Sequence, residues 1–318
     1  MKKWLKRIIY FVLFLFIFLN IVAAFHAYKF TRFYESDKAY TKKPEQMSGW
    51  EKTKVILFGV DYVKRPIVDK PSIPYEDVVL RTSDDLDLKA WYAPASNATG
   101  TVIMFHGHGG TRSGVLSEMK AFHEFGYNVL AIDFRAHGKS DGNTCTVGYH
   151  EDADVMAAYE HIAAKGESNI ILWGISMGAA AIARTMAEHE NIKPKKVILE
   201  MPFATLEEAV EARLRMMKLP EEPFATLLTF WGGLQNGFWA FGHRPVDYVK
   251  EINTPVLVQW GRNDSRVSES ETTSIFENIP TEEKRLVVYE NSGHESLLRK
   301  EPAKWVTNVA AFLAPGSK

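Results

Sequence analysis

The residues best suited to do chemistry form a Gly-Ile-Ser-Met-Gly run at positions 174–178. The apolar residues 170–173 before it predict a buried strand, and residues 179–186 after it predict a helix. A serine between the two lies on a sharp strand-to-helix turn, where small neighbours tolerate strained backbone. The turn exposes the hydroxyl, and the helix N-terminus favours developing negative charge. We therefore predict that Ser176 is a nucleophile; the alternative is that it only caps the helix.

A serine hydroxyl attacks well only when a base removes its proton and a third group orients that base. Asp264 and His294 each follow a predicted strand, in the order Ser, acid, His that hydrolases with this turn show. Both would lie at the carboxyl ends of strands, where open α/β sheets place their sites. We predict that His294 is the base and Asp264 its partner, with Glu290 at another strand end as the competing acid.

Acyl transfer also needs backbone amides that stabilise the oxyanion. One comes from the residue after the nucleophile, which is Met177. The second should come from the His-Gly-His-Gly-Gly loop at 106–110, which follows the predicted strand 101–105. We assign it to the amide of His108 and interpret His106 as a structural loop histidine.

Neither a metal nor a nucleotide cofactor is predicted. His106 and His108 could in principle form a metal cluster with Asp133 or His137, but no metalloprotease-like spacing occurs. Glycine-rich nucleotide-binding motifs are also missing from the sequence. The formal net charge of -1 gives no field to recruit nucleic acid, and the single cysteine, Cys145, excludes an intrachain disulfide.

The N-terminus predicts a membrane helix. Residues 8–25 are apolar apart from Asn20, which is long enough to span roughly 30 Å of hydrocarbon. A cleaved signal peptide, with a small-residue site at 22–24, is the alternative. Basic residues lie on both sides of the span, and the tighter cluster precedes it, which favours a cytoplasmic N-terminus and an extracytoplasmic catalytic domain. They are Lys2, Lys3, Lys6 and Arg7 before the span and Lys29, Arg32, Lys38, Lys42 and Lys43 after it.

The remaining chain alternates strand-like and helical stretches, which predicts an α/β fold with a doubly wound, mostly parallel sheet. Predicted strands are 75–82, 86–93, 101–105, 128–133, 169–173, 196–200, 255–260 and 285–289. We divide the chain into a cytoplasmic tail and anchor at 1–28, a linker with an accessory helix at 29–74, and the catalytic domain at 75–318. The aromatic-rich residues 203–250 are either a cap over the site or helices packed on the sheet.

These motifs together resemble the α/β-hydrolase superfamily, most closely its lysophospholipase-like and prolyl-oligopeptidase-like branch. The resemblance covers residues 75–315 and includes the Asp-Phe-Arg-Ala-His-Gly-Lys-Ser turn at 133–140. It implies a Ser176, Asp264, His294 triad with oxyanion amides from His108 and Met177. One departure is the missing proline after Val267, where Ser268-Glu269 follows instead.

The sequence therefore predicts a serine hydrolase that cleaves carboxylic esters through an acyl-enzyme. The anchor and the aromatic segment favour lipophilic or lipid-like substrates, so the expected partners are a small-molecule or lipid ester and the membrane. Thioesterase, peptidase and acyltransferase activities use the same residues and stay open. A non-catalytic, membrane-tethered binding protein is the alternative of another class. Oligomeric state is not predicted.

Overall fold

The computed structural model describes residues 3–35, 42 and 46–314 of the chain. Strands are numbered in chain order within these residues: β1 (Phe33–Tyr34), β2 (Tyr62–Val63), β3 (Glu76–Arg81), β4 (Asp87–Ala93), β5 (Thr101–Phe105), β6 (Asn128–Ile132), β7 (Ile170–Ile175), β8 (Lys196–Glu200), β9 (Val256–Gly261) and β10 (Lys284–Tyr289). Helices are numbered likewise: α1 (Lys3–Thr31), α2 (Gly49–Phe58), α3 (Leu116–Glu124), α4 (Asp152–Ala163), α5 (Met177–Glu188), α6 (Leu206–Met217), α7 (Phe224–Gln235), α8 (Pro245–Tyr248), α9 (Glu269–Asn278), α10 (Leu297–Lys300) and α11 (Pro302–Leu313).

In the described part of the chain, eight strands form one sheet in the order β10-β9-β8-β7-β5-β6-β4-β3. The pairs β3·β4 and β4·β6 are antiparallel and the other neighbours are parallel. All five residues of β5 are buried, because helices cover both faces of a parallel sheet. The predicted α/β fold with a doubly wound, mostly parallel sheet is confirmed.

The strand order creates a crevice at the middle of the sheet. From β5 the chain moves outward to β6 on one side and then to β7 on the other. The loops that follow β5 and β7 consequently leave the sheet in opposite directions. Open α/β sheets bind ligands at such a switch point, outside the carboxyl ends of the strands.

Helix α1 has two environments along its length. After the charged residues Lys3, Lys6 and Arg7, its N-terminal part is apolar and exposed, and the helix is long and apolar enough to cross a membrane. Its last turns pack along α7: the Trp231 indole donates to Asn20 Oδ1 at 3.1 Å, and the Gln235 amide donates to the carbonyl of Ala24 at 2.9 Å. The helix ends at Thr31 rather than at residue 28. Of the flanking charges, Lys2, Lys38 and Lys43 lie outside the described residues.

Past Thr31, the predicted linker also packs on the domain. Strand β1 pairs in parallel with β2, and the Phe33 amide donates to the carbonyl of Asn143 at 2.8 Å. The accessory helix is α2, and Lys52 on it donates to the carbonyl of Met216 at the end of α6. Helices α6 and α7, from the segment 203–250, pack against each other. Together with the end of α1 and with α2, they form a roof beside the crevice.

Candidate active site

Ser176 lies between β7 and α5 with backbone angles φ 54° and ψ −115°. This left-handed conformation is strained for a residue with a side chain. The turn depends on its glycines: a Cβ at Gly174 would come within 2.6 Å of Gly178, and one at Gly178 would overlap the carbonyl oxygen of Phe105. The motif therefore forms the tight strand-to-helix turn that the sequence predicts, with Ser176 at the crevice.

Asp264 and His294 are brought together from loops that follow neighbouring strands, β9 and β10. His294 Nδ1 lies 2.7 Å from Asp264 Oδ2, and the Asp264 side chain is fully buried. Asp264 Oδ1 accepts the backbone amides of Arg266 at 2.7 Å and Val267 at 3.0 Å. Because these bonds fix one carboxylate oxygen, the other is held against the imidazole. An acid so placed sets the tautomer and orientation of a histidine base.

The competing acid, Glu290, has other partners. Its carboxylate accepts from Arg262 Nε at 2.6 Å, and 55% of its side chain is exposed. The missing proline after Val267 has local substitutes: Trp260 Nε1 donates to the Val267 carbonyl at 2.9 Å, and Ser268 caps α9. The acid loop is thus braced by an indole and a capping box.

Two buried histidines support the loop at 106–110. The Phe134 amide donates to His106 Nε2 at 3.1 Å, so His106 Nδ1 carries the proton and donates to the Gly107 carbonyl at 2.8 Å. His137 receives the Gly109 amide on Nε2 at 3.0 Å and donates from Nδ1 to a carbonyl. Burial lowers the pKa of His106 to about 4 and that of His137 to about 3. Both rings are therefore neutral braces at physiological pH.

His108, the predicted amide donor, has its side chain enclosed by aromatic rings from the last turn of α1 and from β1 and β2. Its ring stacks on Phe30 of α1 at 5.0 Å between centroids, 7° from parallel, and meets Phe33 and Tyr62 edge-on. Arg213 of α6 lies 3.3 Å from His108 Nδ1. Burial holds the pKa of His108 well below its usual range. The loop at 106–110 is therefore packed directly against the C-terminal end of α1.

The turn at 133–140 is a bracing network. Arg112 and Asp133 form a buried ion pair at 2.7 Å, and Asp133 also accepts the Lys139 amide at 3.0 Å. Arg135 pairs with the buried Asp154 at 2.7 Å. These ion pairs and hydrogen bonds hold the turn at 133–140 against the loop that follows β5 and against α4. Among the described residues, no group of three or more His, Cys, Asp and Glu side chains is arranged to hold a metal ion.

Ser176, His294 and the loop that contains His108 line one cavity of about 220 Å³. Gly107 of that loop lies close to Ser176, since a Cβ on it would be 3.4 Å from the serine Cβ. Met177, whose amide is the other predicted donor, begins α5. Basic side chains line the same cavity, namely Lys42, Arg65, Arg213, Arg266 and Arg299.

Sequence reasoning missed Phe30, Phe33 and Tyr62, which come from the segment assigned to the linker, and Arg213, which comes from the segment 203–250. One feature of the sequence did indicate that α1 docks on the domain. An isolated asparagine in an apolar span commonly bonds to a neighbouring helix, and Asn20 indeed accepts a hydrogen bond from α7.

Comparison with known proteins agrees with this architecture. Residues 96–235 match the family model Hydrolase_4, described as serine aminopeptidase, S33. The Bacillus subtilis protein YqkD is 28% identical over 243 residues, which cover 74% of this chain and 78% of YqkD. Lysophosphatidylserine lipase ABHD12 of Xenopus tropicalis is 28% identical over 204 residues, 59% of this chain and 48% of the lipase. The Pyrococcus furiosus esterase Pf2001 superposes with a TM-score of 0.65 and 26% identity, over 79% of this chain and 98% of the esterase.

The sheet order and these similarities define the class: the chain is an α/β-hydrolase. Its relatives include an esterase and a lipase, and its long apolar N-terminal helix fits a membrane anchor.

Proposed function

We propose that this protein is a membrane-anchored serine hydrolase that cleaves lipophilic carboxylic esters. The observation that carries the proposal is the 2.7 Å contact between His294 Nδ1 and the buried Asp264, beside the strained Ser176 in one cavity. The names of two relatives, an esterase and a lysophosphatidylserine lipase, support an ester and a lipid as the substrate class.

In this mechanism Ser176 Oγ attacks the acyl carbon while His294 Nε2 takes its proton. Asp264 orients the imidazole and stabilises the imidazolium. The amides of Met177 and His108 bind the oxyanion, each contributing about 10²- to 10³-fold to the rate. His294 then protonates the leaving alcohol, and the acyl-enzyme forms. Water, deprotonated by His294, releases the acid and restores Ser176.

The membrane arrangement is also part of the proposal. The basic residues before α1 favour a cytoplasmic N-terminus and a catalytic domain on the other side. Ala23 and Ala27 are buried by the domain, which supports an uncleaved helix over a signal peptide removed at 22–24. Protection of the domain from protease added outside intact cells would contradict this orientation.

A fluorophosphonate probe tests the nucleophile. It should label the full-length protein in detergent micelles, and Ser176→Ala should abolish labelling and lower p-nitrophenyl butyrate turnover by about 10⁴-fold or more. His294→Ala should lower turnover by a comparable factor. Ser270→Ala, in the exposed first turn of α9, is the matched control and should behave like the wild type.

Labelling that survives Ser176→Ala would overturn the nucleophile assignment. Binding of esters without turnover would instead favour the non-catalytic binding protein. An aminoacyl p-nitroanilide belongs in the same assay, since the matching family model is described as an aminopeptidase. Faster turnover of that amide than of the ester would make the protein a peptidase.

A further inference from the structure

A second cavity, of about 280 Å³, lies among the helices of the roof. It does not include Ser176, Asp264 or His294. Its walls come from α1, α2, α6 and α7, and most of the side chains that face it are apolar. Representative members are Ala23, Ala27, Val55, Leu214 and Leu228. An apolar space of this size, lined from four helices, suits a flexible hydrocarbon group.

The second cavity adjoins the catalytic one. Tyr62 and Arg213 line both. Arg213 donates to the Tyr62 hydroxyl at 3.1 Å, and its guanidinium lies 4.8 Å from the ring centroid of Phe30. The shared wall therefore stands beside His108, which Arg213 also contacts. An acyl chain whose carbonyl carbon is bound at Ser176 therefore has an apolar space beyond Tyr62 and Arg213.

Small residues keep the cavity open. Gly232 lies inside α7, where glycine destabilises a helix by about 0.5–1 kcal/mol relative to alanine. A Cβ built on Gly232 meets no atom within 4 Å, whereas one on the adjacent Gly233 would lie 2.5 Å from a backbone oxygen. Gly233 is required by close packing, but Gly232 is not. Across the cavity, α1 presents Ala23 and Ala27.

The same walls carry exposed apolar side chains on the outside, beside the helix that fits a membrane span. On α2, Trp50 and Phe58 are each 67% exposed, and Leu234 on α7 is 58% exposed. An exposed apolar surface of this kind marks an interaction site, and aromatic rings favour the boundary between lipid and water. Because α7 packs on α1 at residues 20–24 of the apolar helix, the bilayer is the neighbour that this surface meets.

We propose that the second cavity is the acyl-chain site of the enzyme and that the membrane helix forms one of its walls. A single fatty acyl chain enters from the bilayer side and extends toward Ser176, with Gly232 and Ala27 setting the depth. This inference rests on the proposed ester hydrolysis. It gives α1 a part in substrate selection besides tethering.

Chain-length dependence tests the site in the full-length protein in micelles. Along a series of p-nitrophenyl esters from acetate to palmitate, kcat/KM should rise by about fourfold per methylene until the cavity is full. Gly232→Leu and Gly232→Phe should shift the optimum to shorter acyl chains, with kcat/KM falling far more for decanoate than for acetate. Thr226→Leu is the matched control, because it adds the same side chain to an exposed position of α7 outside the cavity.

A chain-length profile that is unchanged in Gly232→Phe overturns the acyl site while leaving ester hydrolysis intact. A binding measurement separates the two proposals further. A fluorescent dodecanoate analogue should bind Ser176→Ala, and adding Gly232→Phe should weaken binding by at least about tenfold. Equal affinities in the two backgrounds would also overturn the acyl site, whatever the turnover assays give. Absence of wild-type turnover with any ester would count against the proposed function alone.

Discussion

The carboxyl edge of the sheet, where the parallel strands end, and the roof beside it are built in different ways. At the edge, Ser176, Asp264 and His294 each follow a strand by a few residues, so local chain geometry places them. The roof joins segments that are far apart in the sequence. Arg32 donates a hydrogen bond of 2.7 Å to the side chain of Asn236, which lies 204 positions further along the chain. In the proposed mechanism, strand-end geometry therefore places the reacting groups, and long-range helix packing forms the surface through which substrate reaches them. Substitutions at the edge should slow all substrates alike, and those in the roof should act selectively.

After the loss of Ser176 or His294, the largest effect is expected at the edge from Asp264→Asn. The asparagine keeps one oxygen for the two backbone amides but presents an amide to His294, which stabilises the wrong tautomer. We expect kcat to fall by about 10³- to 10⁴-fold for every acyl chain length, measured with p-nitrophenyl acetate and decanoate. Glu290→Gln removes a carboxylate from the neighbouring strand end and should change kcat little. The opposite ranking of the two variants would make Glu290 the acid.

A smaller effect is expected where the roof meets the edge, from Phe30→Ala. The substitution removes the ring stacked on His108, a contact of a kind that contributes about 0.5–1.5 kcal/mol. If that stabilisation positions the oxyanion loop, kcat should fall by about 2- to 13-fold with KM for acetate unchanged. Phe18→Ala removes an exposed ring from the same helix and serves as the control. A change in KM alone would mean that Phe30 contacts substrate and does not position the loop.

The smallest effect on activity is expected beneath the site, at Glu200 on β8. Its Oε1 accepts from the indoles of Trp173 and Trp305 and from Gln259, and burial raises its pKa from 4.5 to about 8. The folded protein therefore holds a proton that the unfolded chain loses above pH 4.5. The free energy of unfolding should fall with rising pH between about 4.5 and 8, by up to about 1.4 kcal/mol per pH unit.

Glu200→Gln removes this titration and keeps an acceptor for the indoles. Its melting temperature should rise relative to the wild type between pH 5 and pH 8, with activity near the wild-type value. Glu277→Gln, at an exposed position of α9, is the control. Wild-type and Glu200→Gln curves that stay parallel over this range would show that Glu200 is ionised in the folded protein.

The contrast between edge and roof also explains how much the sequence could predict. Strands 101–105 and 196–200 were predicted at the residues where β5 and β8 lie, because short apolar runs between turns identify buried strands. The placement of Asp264 and His294 at strand ends follows from the same pattern. The stacking of Phe30 on His108 joins positions 78 residues apart and depends on how α1 docks, which no local pattern encodes. The sequence likewise left residues 203–250 as either a cap or helices packed on the sheet, and did not place α1 and α2 beside them.

Helix α1 runs unbroken from Lys3 to Thr31, about 44 Å at 1.5 Å per residue. Thr31 is joined to the domain without a free linker, since its carbonyl accepts the Cys145 amide at 2.9 Å. Under the proposed function, a hydrolase held in this way meets its substrate within the plane of the membrane. The concentration that governs its rate is the mole fraction of substrate in the surrounding lipid, so diluting the surface with inert lipid should slow turnover even when the bulk amount of substrate stays constant.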